Sequence, residues 1–412
     1  LENKMDIKPG LEGVVFTDTY LSAIDGQVGK LSYCGHDIKD LAEKASFEEV
    51  TFLLWYQRLP AQSELQMLSN WLRENRTLPK SVWGIMHVLP DGATPMEALR
   101  TVTSTLSMFD RACIHEEHGG SSLCRAVSLA GKLPTIVASF DRLRKNKPPI
   151  EPHPELGHGA NFLYMLTGEI PDEVSATALE KYLILLADHG MNASTFSARV
   201  TASTLGDVYS ATVTALGTLK GPLHGGANEA AMKQFMDIGS LDKVDAWFDD
   251  KMSNGGRVMG LGHRVYKVED PRSVILRKLA KQVTERQGMT KWYDIAAKLE
   301  ERALAHPYFQ ERSIYPNADY YTGPLLDGLG IPVDLFTPMF AISRVAGWTA
   351  HMLEQQHNNR LIRPRAHYAG PTDQDWIEMG TRIAQVEAEP DIQCVAGRPA
   401  NCPAALRVPV TN

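Results

Sequence analysis

Three segments set a titratable side chain in glycine-rich or aromatic surroundings that suit proton transfer on carbonyl compounds. The first is Gly221-Pro222-Leu223-His224-Gly225-Gly226, whose histidine lies just ahead of a helix expected to begin near Ala227. The positive end of a helix dipole favours a neutral imidazole. A neutral imidazole can donate a hydrogen bond to a carbonyl without giving up a full proton, which suits an enol-forming step. The same residues read equally well as a capping loop with an incidental histidine. The second segment is Gly260-Leu261-Gly262-His263-Arg264-Val265-Tyr266-Lys267. It imitates a dinucleotide fingerprint but has Val265 where the third glycine belongs, and its surroundings are helical rather than βαβ. What remains is a histidine between glycines, which let backbone approach a bulky ligand, and the cations Arg257, Arg264 and Lys267, which suit phosphates. The third segment, Tyr315-Pro316-Asn317-Ala318-Asp319-Tyr320-Tyr321-Thr322-Gly323, holds a carboxyl that desolvation would raise toward the range of a general base. Taken alone, Asp319 reads more simply as a helix N-cap.

Arginines accompany these groups. Arg272 follows Asp270-Pro271 at a helix start, and Arg344 falls in the apolar stretch from Phe336 to Trp348, where an unpaired charge is costly. Asn358-Asn359-Arg360-Leu361-Ile362-Arg363-Pro364-Arg365 gathers three more in a Pro-bounded loop. Guanidinium forks bind carboxylates bidentately, so Arg272, Arg344 and Arg363 suit an anionic substrate, whereas Arg360 reads as a solvated surface residue. Metal chemistry finds little support. His115-Glu116-Glu117-His118 lacks the i, i+4 histidine spacing of a zincin, and His351 and His357 do not share a helix face. Neither a Walker loop nor a Gly-x-Ser-x-Gly elbow occurs. Cys34, Cys113, Cys124, Cys394 and Cys402 show no CxxC spacing and read as idle thiols, with pairing of Cys394 and Cys402 left open.

The elements that must hold these residues are mainly helices. Ser46-Phe47-Glu48-Glu49 and Thr94-Pro95-Met96-Glu97 are capping boxes, the second with proline at the first helical position. Helical spacing of apolar residues runs from Asp172 to Asp188 and stops at His189-Gly190. Further helices are expected over 122–143, 192–205, 226–239, 271–287, 290–305 and 337–355, with short strands at Val14–Phe16 and Lys30–Tyr33. No βαβ alternation appears, so a parallel-sheet fold is disfavoured. The segment from the glycines at 221–226 to Gly323 is a candidate lid on a larger helical body.

The chain has 412 residues and a net charge of −7, room for a large and a smaller domain and a poor match to nucleic-acid phosphates. No purely apolar run approaches a membrane span, and Leu1 to Gly10 has no signal-peptide character, which places the protein in the cytoplasm; a presequence already removed would leave no trace.

Together the motifs resemble those of citrate synthases, from Gly10-Leu11-Glu12-Gly13-Val14-Val15 to about Tyr368, with the C-terminal tail outside the likeness. The strongest pieces are Gly221 to Ala227, Gly262 to Lys267 running on to Asp270-Pro271-Arg272, Asn317-Ala318-Asp319, and Ile362-Arg363-Pro364-Arg365. Leu261 departs from the bulkier residue usual beside the histidine. The resemblance implies a mostly all-α, two-domain homodimer of the shorter type with its active site in the interdomain cleft. Residues 1–220 and 328–412 would form the large, dimerising domain and 221–327 the small mobile one. It implies His224, His263 and Asp319 as the catalytic set. His189, Arg272 and Arg344 would bind oxaloacetate, joined by Arg363 from across the dimer. Arg257, Val258, Met259, Gly260, Leu261, Gly262 and Lys267 would bind coenzyme A. The substrates would be acetyl-CoA and oxaloacetate, with no metal or other cofactor and neither nucleic acid nor membrane as partner. Two rivals follow: a 2-methylcitrate synthase using propionyl-CoA with the same residues, since one methylene is worth only about 1–3 kcal/mol, and a non-catalytic acyl-CoA sensor.

Overall fold

A computed structural model describes residues 7–109 and 121–382. Cys113, the 115–118 segment, Cys394 and Cys402 lie outside the described residues. Of the described residues, those within 8–364 form one compact body and 365–382 belong to a separate unit, in which the Arg382 guanidinium lies 4.8 Å from the centre of the Trp376 ring.

The body opens with a three-stranded antiparallel sheet, β1 (Ser22–Asp25), β2 (Lys30–Tyr33) and β3 (His36–Asp37). Ser22 pairs with Tyr33 and Asp25 with Lys30. The strand expected at Val14–Phe16 is irregular chain with Val15 exposed; Lys30–Tyr33 pairs instead with Ser22–Asp25, whose short alternation the sequence reading passed over.

The rest of the described body is helical. The first layer comprises α1 (Ile38–Lys44), α2 (Phe47–Tyr56), α3 (Gln62–Glu74), α4 (Lys80–His87), α5 (Pro95–Phe109), α6 (Ser121–Arg144), α7 (His158–Thr167), α8 (Glu173–Leu186), α9 (Ala193–Ser203) and α10 (Val208–Leu219). Then follow α11 (Ala227–Ile238), α12 (Val244–Ser253), α13 (Pro271–Gln287), α14 (Lys291–Ala305), α15 (Pro307–Glu311) and α16 (Ala318–Gly328), and last α17 (Phe336–His357). Both capping boxes form: Ser46 and Glu49 exchange bonds at the head of α2, and Thr94 and Glu97 do so at the head of α5. α6 is long and apolar enough to cross a membrane, but 89% of its most apolar window is buried inside the body, so its composition is that of a core helix. Cys124 in α6 is disulfide-bonded, where spacing along the chain had suggested an idle thiol, while Cys34 is free.

α17 is the spine. Every residue from Phe336 to Met352 is buried, and α2, α6, α8, α9 and α10 pack around it. A helix enclosed on all sides must find partners for its polar groups. In α17 they point at the C-terminus of α8, whose last carbonyls have no partner within their own helix. Ser343 Oγ donates to Leu183 O (2.5 Å), Arg344 Nε to Leu186 O (2.8 Å) and the Gly347 N–H to Ala187 O (3.1 Å). A Cβ at Gly347 would sit 2.3 Å from Ala187 O, so only glycine admits this approach. The Tyr33 hydroxyl adds a bond to Asp188 O (2.8 Å). The chain leaves α8 through Asp188 to Asn192, with Gly190 at φ +57°, and the Asn192 side chain caps α9. His189 is thereby held between two fixed helix ends.

Candidate active site

A cavity of about 490 Å³ collects His189, His224, His263, Asp319, Arg272 and Arg344, drawn from six separate places in the sequence. Ile24, Asn192, Leu223, Ala227, Asn317 and Phe340 complete much of its wall.

His224 lies in the turn between α10 and α11. The Gly225 N–H closes α10 on Leu219 O (3.0 Å), and Thr337 Oγ1 of α17 donates to Gly225 O (3.1 Å). His224 Nε2 meets Ser194 Oγ at 2.8 Å. That hydroxyl also contacts Asn192 Oδ1 (2.8 Å) and accepts from Trp348 Nε1 (3.0 Å). Asn192 Oδ1 and His224 Nε2 compete for the single Ser194 proton; turned to Nε2, it leaves the ring proton on Nδ1, which has no partner among the described residues. Burial, with Arg344 nearby, lowers the His224 pKa to about 4, so the ring is neutral near pH 7. Burial and the Arg344 charge thus favour the neutral ring expected from the place of His224 ahead of α11.

His263 follows Gly262, which has φ +90°. Its Nδ1 accepts from the backbone N–H groups of Val265 (3.0 Å) and Tyr266 (3.2 Å), which fixes the proton of the neutral ring on Nε2. Burial and the Arg272 charge take its pKa to about 4. His189, 5.4 Å from His263 ring to ring, is held well below the usual histidine range by burial, Arg272 and His263. Its Nε2 lies 3.2 Å from the Tyr266 hydroxyl.

Asp319 is not the cap that its type alone suggested. Asn317 caps α16, accepting from the Asp319 N–H (2.9 Å), and this leaves the Asp319 carboxylate without a hydrogen-bond donor among the described residues. Burial raises its pKa to about 6, against the pull of Arg272 and Arg344. Asn317 also ties down the neighbouring loop: its N–H donates to Gly260 O (2.9 Å) and its Nδ2 to Gly262 O (2.8 Å). Gly260, at φ +80°, packs its Cα face on Tyr320.

The arginines differ in what they leave open. Arg272 already spends Nε (3.1 Å) and Nη2 (2.8 Å) on Asp270, whose carboxylate outweighs the cost of burial and holds the guanidinium above its usual range. Arg344 stacks on Phe340, 4.7 Å to the ring centre, and bonds only through Nε, so its terminal fork has no partner among the described residues. Behind it stands the buried carboxylate of Asp188, held below the carboxylate range despite burial by His351 and Arg344. Arg363 is exposed and does not line this cavity of its own chain.

A second cavity of about 600 Å³ shares Gly262, His263 and Arg264 with the first. Arg257, Val258 and Leu261 line it, together with Met252, Tyr308, Phe309 and Ile314, which sequence reasoning did not single out. Of the other residues proposed for the same ligand, the Met259 N–H is bonded to Gln234 Oε1 (2.7 Å), Gly260 faces Tyr320, and the Lys267 N–H bonds Gly26 O (2.8 Å). None of the three lines this cavity. Ser194 and Trp348 also escaped the sequence reading, and Tyr266 and Asn317 entered it only as members of motifs, because a polar group acting through another shows no role of its own.

Taken as chemistry, the first cavity offers one carboxyl poised to accept a proton, three neutral imidazoles able to donate hydrogen bonds, and two guanidinium groups for carboxylates. The second offers an elongated ligand a cationic, partly apolar berth.

Comparisons with known proteins agree with this arrangement. The family profile described as "Citrate synthase, C-terminal domain" matches residues 10–365. A citrate synthase of Haloferax volcanii is 44% identical over 381 residues, covering 92% of this chain and 99% of its own. A 2-methylcitrate synthase of Mycobacterium tuberculosis is 41% identical over 371 residues, covering 90% and 92%. Among solved structures, the ternary complex of carboxymethyl coenzyme A and oxaloacetate with the citrate synthase of Thermoplasma acidophilum superposes with a TM-score of 0.86 at 34% identity, covering 92% of this chain and all of that one, 100%. With an all-α body, a cavity holding three histidines and an aspartate, and a profile match from Gly10 to Arg365, the chain belongs to the citrate synthase family.

Proposed function

We propose that this enzyme condenses acetyl-CoA with oxaloacetate and hydrolyses the resulting citryl-CoA to citrate and free coenzyme A. The observation that carries this reading is the Asp319 carboxyl, poised near pKa 6 in a cavity with two neutral imidazoles and an open arginine fork. Asp319 takes a proton from the acetyl methyl group while His224 donates a hydrogen bond to the thioester oxygen. The enol so formed attacks the ketone carbon of oxaloacetate, and His263 delivers its Nε2 proton to the ketone oxygen. Water then cleaves the thioester. Arg344, Arg272 and His189 hold the dicarboxylate, and the cavity beside Arg257 and Leu261 takes coenzyme A. Residues 221–327 act as the mobile lid over this cleft. The working form is a homodimer in which the partner subunit's Arg363 completes the oxaloacetate site, a reading that the exposure of Arg363 in its own chain supports.

A second reading, 2-methylcitrate formation from propionyl-CoA, is favoured by the 41% identity to an enzyme of that name. Steady-state release of free thiol with oxaloacetate and either acyl-CoA tests both. A much larger kcat/KM for acetyl-CoA upholds the first reading, a larger value for propionyl-CoA replaces it with the second, and binding without turnover leaves only a sensor.

A further inference from the structure

β1, β2 and their turn touch both histidine-bearing segments of the oxaloacetate pocket. At the base, Ser22 Oγ donates to Asp188 Oδ2 and accepts from the Gly190 N–H (3.3 Å), so it flanks His189 on both sides. Midway, Ile24 lines the cavity and lies against Gly190, whose added Cβ would meet Ile24 Cδ1 at 3.4 Å. At the tip, Gly26 O accepts from the Lys267 N–H (2.8 Å). A Cβ on Gly26 would fall 2.1 Å from Val265 O, a backbone atom that cannot swing aside, and one on Gly29 would fall 3.0 Å from Glu269 O. The turn itself is held independently, by Asp25 Oδ1 accepting from the N–H groups of Gln27 (2.9 Å) and Val28 (3.3 Å). The hairpin therefore spans, from outside, the gap that the His189 and His263 rings span from inside.

Resting on the proposed condensation, we infer that this hairpin is a positioning element of the oxaloacetate pocket and that Gly26 is where it grips the loop carrying His263. Gly26 has no positive φ, so alanine there carries no backbone strain; its one penalty is the collision with Val265 O. Gly26 touches no substrate. It acts through the backbone of residues 265–267, which in turn supplies the two N–H groups that hold His263 Nδ1. Because the hairpin lies in the segment assigned to the large domain and the loop in the lid, any opening of the lid must also break this grip.

The test is Gly26→Ala in the full chain, read by kinetics and by amide hydrogen exchange. The expected result is a rise of about tenfold or more in KM for oxaloacetate, a change of less than about threefold in KM for acetyl-CoA, and faster exchange at residues 265–268 while the amides of α8 and α17 stay protected. Unchanged oxaloacetate KM and unchanged exchange would reduce the hairpin to a cover and overturn the inference. Should the variant fold poorly, the wild-type protein decides: a protected Lys267 amide supports the grip and a freely exchanging one refutes it. This exchange readout does not depend on what the enzyme turns over. Wild-type protein inactive with oxaloacetate, yet losing Lys267 protection in Gly26→Ala, would retire the substrate assignment and leave the grip standing.

Discussion

Asp319 stands where two demands conflict. A base for a weakly acidic methyl group needs a raised pKa, and the protein raises it by enclosing the carboxyl; the Asp319 N–H donates to Asn317 Oδ1, and among the described residues no donor reaches the carboxylate oxygens. Asp319→Asn should fold, still bind oxaloacetate, and lose turnover by about 10²-fold or more; turnover above about a tenth of wild type would remove Asp319 from the base role. The pH profile follows from the same carboxyl. kcat/KM should fall below about pH 6 as Asp319 protonates, while His224 and His263, both pushed to about 4, stay neutral across that limb. The stability consequence has the opposite sense. A carboxyl raised from 3.8 to about 6 binds its proton more tightly in the folded state, so its contribution is fully present below pH 3.8 and is lost as pH rises through 6. Asp319→Asn should therefore be more stable than wild type at pH 8, by roughly 2 kcal/mol after allowance for solvent reaching the cavity, and no more stable by about pH 4. Denaturant midpoints of the two proteins at both pH values measure this.

Among the elements, the junction of α8 with α17 sets the geometry of His189 and Arg344 together. Gly347→Ala would drive a Cβ into Ala187 O and Asp188 Oδ1, at 2.3 and 2.5 Å. Overpacking of this kind costs about 1–3 kcal/mol. The expected outcome is a Tm lower by several degrees with weakened oxaloacetate binding, measured by thermal unfolding with and without that ligand. Element by element, legibility followed the strength of local signals. The 271–287 helix matched α13 because Asp270 caps it, Pro271 opens it and Gly288, at φ +66°, ends it. The 290–305 and 337–355 helices came within two residues of α14 and α17. α10, with three Thr, two Val and a Gly in its twelve residues, lacks a strong local preference and forms because α9, α5 and α17 enclose it. α16 carries Gly323 and Pro324 in its interior, a local signal to stop that packing against α13 and α11 overrides. Asp319 taken alone suits the cap of a helix starting just after it; α16 starts at Ala318 instead, so the cap falls to Asn317 and the carboxyl is left for the cavity.

At the scale of the molecule, the residues proposed for catalysis come from segments far apart in sequence, so their convergence in one cavity was legible only through their likeness to a known set. The secondary partners were not legible at all, since Trp348 reaches Ser194 and Tyr266 reaches His189 across the fold. The assembly proposed above makes its own prediction. Arg363→Leu and Asp319→Asn should each be nearly inactive alone, whereas their co-expression should restore about a quarter of wild-type activity. Half the dimers would then be mixed, each with one intact site. No recovery in mixed dimers isolated through two different tags would confine Arg363 to its own subunit or to the surface.

Asn317 has a consequence for redesign. One side chain and its N–H hold Gly260, Gly262 and the first turn of α16 at once, so the loop shared by the two cavities and Asp319 in the first have a single mooring. Substitutions at 260, 262 and 319 will not combine additively, because each shifts the anchor on which the others were optimised. Variation is more freely available at Leu223 and Ala227, which border the first cavity without sharing that anchor. Libraries that randomise the two groups separately should yield many functional variants from the second and few from the first.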